Sequence, residues 1–179
     1  MKNPRLFTGL LAALMATAAS LQAQVAIPAS YAMPAGSVDT TAPGFRVRPY
    51  ATDEANPNTL AWTEEQMIGL HGPNKADLSG ADASGYYIVP TVNWNNSVGG
   101  TVDDLPAADD FPGLAGIAEN KSAEILTYLQ FPTNGVYTLG VNSDDGFVAT
   151  TAALNPKDHF SGLTLGGPID GGRGAADTL

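Results

Sequence analysis

The chain has 179 residues, no cysteine, and 8 basic against 18 acidic side chains, a formal charge of −10. Its length fits one domain. The charge argues against readers of nucleic acid and binders of anionic membranes, and it favours divalent cations. Without cysteine there is no thiol nucleophile, thiolate metal site or disulfide framework, so stability must come from a core, a bound metal or both.

Residues 1–23 read as a secretory signal peptide. Lys2 and Arg5 precede the apolar run "LFTGLLAALMATAAS", and Ala23 supplies a small residue for cleavage before Gln24. The run is shorter than the ~20 residues a membrane span needs. Export to the cell surface or the medium is expected, with no membrane insertion once the signal is removed. Loss of Lys2 and Arg5 leaves 6 basic residues against 18 acidic, a formal charge of −12. Residues 24–44, rich in Ala, Pro, Ser, Thr and Gly, show no sustained period and read as a flexible leader.

The body of the chain is predicted over 45–179. "GFRVRPY" alternates Phe45 and Val47 with Arg46 and Arg48, a strand pattern. In "NTLAWTEEQMIGLHG", Leu60, Met67, Ile68 and Leu70 lie near helical spacing. Thr63 and Gln66 fit a capping box, and Gly69 and Gly72 are stop signals, which predicts one short helix near 59–70. "GYYIVPTVNW" (85–94) is β-branched and aromatic, with Pro90 marking an edge or bulge. Residues 95–122 read as a long polar loop. Strands are predicted over 123–131, 135–143 and 146–154, the first two joined by a hairpin at "PTNG". The glycine-rich tail offers no further strand after residue 165. Short strands with Gly/Pro turns predict an all-β antiparallel sandwich or barrel, incomplete at its C-terminal side.

The chemistry-bearing residues are few. His71 and His159 sit in no triad or zinc-ligand spacing, and both read as ordinary residues, His71 beside the final carbonyls of the helix. Asp103–Asp104 and Asp109–Asp110 lie in the polar loop, where solvation accounts for them. Adjacent carboxylates on one strand suit glycoside hydrolysis poorly, because neighbouring side chains point to opposite faces. No catalytic residue is assigned, and the chain is read as noncatalytic.

Asp144–Asp145 differs because the pair ends an apolar strand pattern and is followed by Gly146. Two fixed carboxylates repel unless a cation neutralises them, and Ca²⁺ with its oxygen preference fits. Asn142 or Ser143 is positioned to add an oxygen. A plain Asp-Asp-Gly turn, satisfied by its own backbone amides, stands beside this reading.

"GVYTLGVNSDDGF" resembles the signature of the PA14 superfamily, a Gly-x-Tyr strand leading into Ser-Asp-Asp-Gly. Gly135, Tyr137, Ser143, Asp144, Asp145 and Gly146 stand at those positions. The resemblance is strong over 119–154 and looser before it. It implies a PA14-like β-sandwich in which two aspartates, joined by a cis peptide, hold a calcium ion that sugar hydroxyls complete. "FVATTAAL" departs from the strand that many members carry next. The implied site residues are Asp144 and Asp145 for metal, with Asn142 and Gly146 beside them at the ligand. The implied function is calcium-assisted carbohydrate binding or cell adhesion toward a glycan or cell-surface polysaccharide, within a larger chain whose neighbouring domains are partners. A structural spacer of a large surface protein and an accessory module of a polysaccharide-degrading enzyme are the alternatives. Trp94, Tyr86 and Tyr87 offer faces for a sugar ring, though core or cross-strand roles suit them better.

Overall fold

A computed structural model describes residues 24–41, 43–94, 110–152 and 162–179. The signal-peptide reading of 1–23, the Asp103–Asp104 pair, Asp109 and His159 lie outside the described residues. The described chain is mostly strands and irregular segments in small antiparallel sheets, with one α-helix. Within the leader, Ala29–Tyr31 forms a single 3₁₀ turn with no buried residue.

Strand β1 (Phe45–Ala51) is the centre of the main sheet. It pairs antiparallel with β2 (Tyr87–Val89) on one side and with β3 (Lys121–Leu126) on the other. Pairing with β2 covers only Phe45 to Val47. Beyond it, the Asn74 side chain takes over the open edge. Its Oδ1 accepts from Ala51 N, its Nδ2 donates to the Pro49 carbonyl, and Lys75 N donates to the Ala51 carbonyl. Ala51 N points to this edge, so Pro49, two residues earlier, places its missing N–H on the same side, where no strand pairs. The core of the described residues is small: Val47, Pro49, Tyr50, Ala51, Tyr86 and Leu114.

The helix α1 (Leu60–Met67) starts at Thr59, whose hydroxyl accepts from Trp62 N at 3.3 Å. The cap therefore lies four residues before the expected Thr63–Gln66 box, because Thr59 already has extended dihedrals while Thr63 is inside the helix. Gly69, at φ +85°, ends the helix as the sequence predicts. Its docking face is not the expected apolar one: Ile68 and Leu70 are exposed. Instead the buried Gln66 donates to the Asn120 carbonyl and accepts from the Ser122 hydroxyl, tying α1 to the start of β3.

Several strand boundaries need correction. The 85–94 strand narrows to β2, and β3 runs over 121–126 rather than 123–131. Over 135–143 only β4 (Val141–Ser143) is a strand, and no "PTNG" hairpin pairs it with β3. Residues 127–140 are all exposed, including Leu129, Phe131, Val136 and Leu139. Strand propensity is present there, but among the described residues no neighbouring ladder or covering surface is, and isolated strands are not stable in water. Over the described part of the predicted 146–154 strand, residues 146–152, there are two isolated bridges, Phe147 with Ile169 and Thr150 with Thr164. The tail, expected to lack a strand, forms β5 (Ala176–Thr178), which pairs antiparallel with β4.

Candidate functional site at the Asp144–Asp145 corner

The register around β4 and β5 builds the corner. Ser143 pairs with Ala176 and Phe147 pairs with Ile169. Between those pairs one side carries Asp144, Asp145 and Gly146, while the other carries "DGGRGA", residues 170–175. The longer side bulges around the aspartates. Gly146 faces that bulge closely: a Cβ there would stand 2.6 Å from the Ile169 carbonyl oxygen. Only glycine fits at that distance.

Arg173 anchors the bulge. Its Nε donates to the Ser143 carbonyl at 3.2 Å, one terminal nitrogen to the Thr178 hydroxyl at 2.9 Å, and the other to the Ser143 hydroxyl at 2.8 Å and the Ala176 carbonyl at 2.6 Å. Arg173 N donates to Asp145 Oδ1 at 3.2 Å, and Asp145 N donates to the Arg173 carbonyl at 3.4 Å. Asp145 holds φ +59°, a left-handed conformation that aspartate tolerates better than most residues. The planar fork of arginine suits a site where one side chain must satisfy four oxygens.

The corner also touches the N-terminal end of α1. Asp170 Oδ1 accepts from Leu60 N at 2.8 Å, and Asn58 packs its carbonyl toward Gly146 and its amide toward Gly172. A carboxylate at the first turn of a helix is favourable beside its free amides and dipole. The corner is thereby joined to the main sheet through α1.

The expected site residues are placed as follows. Asp144 is exposed, and its Oδ1 accepts from Asp145 N at 3.1 Å. Asp145 is half-buried. Asn142 lies on β4 opposite Asp177, and its Nδ2 donates to Asp177 Oδ1 at 2.8 Å. Ser143 Oγ is engaged by Arg173. The Asp144–Asp145 bond is trans, unlike the cis bond that the resemblance implies. The strand before the pair is not packed as expected, so the fixed geometry comes from Arg173 and the glycines rather than from a buried strand.

Calcium takes six to eight oxygens. Among the described residues no group of three or more His, Asp or Glu is arranged to hold a metal ion. Beyond the oxygens already bonded, Asp144 and Asp145 have one carboxylate oxygen each, far short of a closed calcium cage. Arg173 adds positive charge beside the pair. Sequence reasoning missed Arg173, Asp170 and Asn58. The signal for Arg173 was the lone cation inside "GGRG", a backbone permissive enough to wrap a corner. Nothing in the sequence marks Asn58 or Asp170 as its neighbours.

Tyr86 is buried with its hydroxyl on Glu124, which favours its core role. Tyr87 is half-buried in β2, and Trp94 lies against Phe111 with ring centroids 4.2 Å apart and planes tilted by 40°. No helix of the described residues is long and apolar enough to cross a membrane. In comparisons with known proteins, no family model, curated protein or solved structure matches this chain.

Proposed function

We propose that the chain is a noncatalytic, exported module of PA14-like β-sandwich type, which recognises carbohydrate with the help of calcium at Asp144 and Asp145. The observation that supports this most is the fixed presentation of the pair at the surface. Asp145 is locked from both sides by Arg173 N and the Arg173 carbonyl, and Gly146 and Gly172 bring backbone close around it. The calcium would be held by the two carboxylates, with water and sugar hydroxyls completing its oxygen shell. Its charge would polarise those hydroxyls, while Asp144 and Asp145 orient the ring. With so few protein ligands, affinity belongs in the weak range of extracellular modules, about 10⁻⁴–10⁻³ M. Asn142 and Gly146 flank the ligand, and the partners are a glycan or cell-surface polysaccharide and neighbouring domains.

A screen of the full chain on a glycan array, with calcium and with chelator, tests this. Binding that needs calcium and disappears in Asp145→Ala is the expected result. Binding that persists in chelator would leave calcium out of recognition, and an absence of glycan binding would remove the carbohydrate reading. One observation favours a second reading, a structural spacer. Asp144 and Asp145 each already accept a backbone amide, as a turn requires. On that reading Asp145→Ala lowers stability equally with and without calcium.

A further inference from the structure

Away from the aspartate corner, the C-terminal end of α1 and the Arg48–Tyr50 face of β1 line an open cleft of about 510 Å³. Its walls include Tyr50, Met67 and Pro73, with Gln66 and Asn74 at its polar side and Arg48 reaching into its lining. Arg48 differs from every other cation among the described residues. Arg46 pairs with Asp82 at 3.1 Å, Lys75 with Asp53 at 2.6 Å, Lys121 donates to the Ile117 carbonyl, and Arg173 is fully engaged. Arg48 has no carboxylate, carbonyl or hydroxyl acceptor among the described residues. Its Nε is buried without a partner, and its guanidinium carbon stands 5.1 Å from the Tyr50 ring centre.

That arrangement is costly as it stands, since a buried donor without an acceptor loses its hydration for nothing. Stacking on Tyr50 offsets part of this and holds the planar group in place. The nearest carboxylate by register is Glu124, directly opposite Arg48 on β3, and it is engaged by the Tyr86 hydroxyl. Glu64 and Glu65 on α1 are exposed. The Nε lies against Gly85, outside the lining of the cleft, so an acceptor in the cleft would meet the terminal nitrogens of Arg48 beside Tyr50 and Met67.

We propose that this cleft binds a carboxylate carried on a small, partly apolar body, with Arg48 as the anchor and Tyr50, Met67 and Pro73 as the bed for that body. A planar carboxylate suits the guanidinium fork, which can meet it with two parallel hydrogen bonds. The carboxylate has two possible sources, a uronic acid unit of a polysaccharide or a free organic acid. The site is separate from Asp144–Asp145 and does not depend on calcium.

Titration of the full chain with glucuronate, benzoate and neutral glucose, followed by amide chemical shifts in chelator, tests the proposal. Saturable shifts at Tyr50, Met67 and Gly72 with glucuronate, with benzoate or with both, and none with glucose, are expected. Glucuronate alone points to the polysaccharide source, whereas both acids point to carboxylates in general. Arg48→Gln should weaken binding at least tenfold, and Arg48→Lys, which keeps charge but not the fork, should weaken it less. If Arg48→Gln does not fold, Arg48→Lys decides, because unchanged affinity there overturns the fork. No saturable shift with either acid, or equal shifts with glucose, overturns the site.

Discussion

Two regions of the molecule hold their shape by different means. Residues 45–126 are organised by a core, with Val47, Pro49, Ala51 and Tyr86 buried at the centre of a three-stranded sheet and Gln66 pinning α1 to it. Residues 141–179 contain no fully buried side chain among those described, and their two short strands are held by Arg173 and by close glycine contacts. The first region resists change because apolar area leaves water. The second is fixed polar bond by polar bond, so its geometry is local and can answer to a bound ligand. The candidate site lies in the second region, while α1 links the two through Asp170 and Asn58.

The largest effect should come from the core. Tyr86 is 2% exposed, and Tyr86→Ala removes its ring and leaves Glu124 without the phenol. A loss of about 3–5 kcal/mol is expected in chemical denaturation. Val136→Ala, at a site 79% exposed, should change stability by less than ~0.5 kcal/mol. A comparable cost at both positions would mean that the second region has a core of its own.

Arg173→Met sharpens the contrast. It removes the hydrogen bonds to Ser143, Ala176 and Thr178 while keeping bulk against Phe147. Local opening of β4 and β5 should become easier by roughly 2–3 kcal/mol, since hydrogen bonds from a charged group are lost. Hydrogen exchange should accelerate at the β4 and β5 amides and stay unchanged in β1 and β3. Acceleration throughout the chain would show that the two regions open together.

A smaller, pH-dependent effect belongs to the first region. His71 is 13% exposed and stacks on Trp62 at 3.4 Å, with Nδ1 on Glu54 and Nε2 on Glu65, each at 2.9 Å. Both ring nitrogens meet carboxylates, so the imidazolium satisfies both. Burial opposes that charge, but the hydrogen bonds to Glu65 and Glu54 and their charges outweigh it and raise the pKa above the ordinary 6.5. Because the folded value is the higher one, this contribution is complete below the unfolded pKa and is lost as pH rises through the folded one. Thermal unfolding should therefore show stability falling above about pH 6.5, and His71→Asn should flatten that part of the profile. An unchanged slope in the variant would mean that another group titrates there.

The first region was the more legible in the sequence. Alternation in "FRVRPY" placed β1, Gly69 placed the helix end, and the β-branched, aromatic run at 85–94 marked β2. In β1 packing agrees with the local pattern, since Val47 is buried and Arg46 exposed, whereas Ile88 of β2 and Ile125 of β3 are exposed. The second region misled because its pattern and its environment disagree. Val136, Tyr137 and Leu139 read as strand, but among the described residues nothing covers them. "DGGRGA" reads as a loose tail, yet it supplies the wall of the corner. The aspartates themselves were visible by composition. Their anchor, Arg173, lies 28 residues away from Asp145, and only the antiparallel register of the tail brings the two together.

On the proposed function, Arg173 and the glycines pose Asp144 and Asp145 to share a calcium ion. Calorimetric titration of the full chain with calcium, beside Asp145→Ala and Arg48→Gln, tests it most directly. One weak site is expected, abolished in Asp145→Ala and intact in Arg48→Gln. Calcium binding that survives unchanged in Asp145→Ala, or none in the native chain, would contradict it.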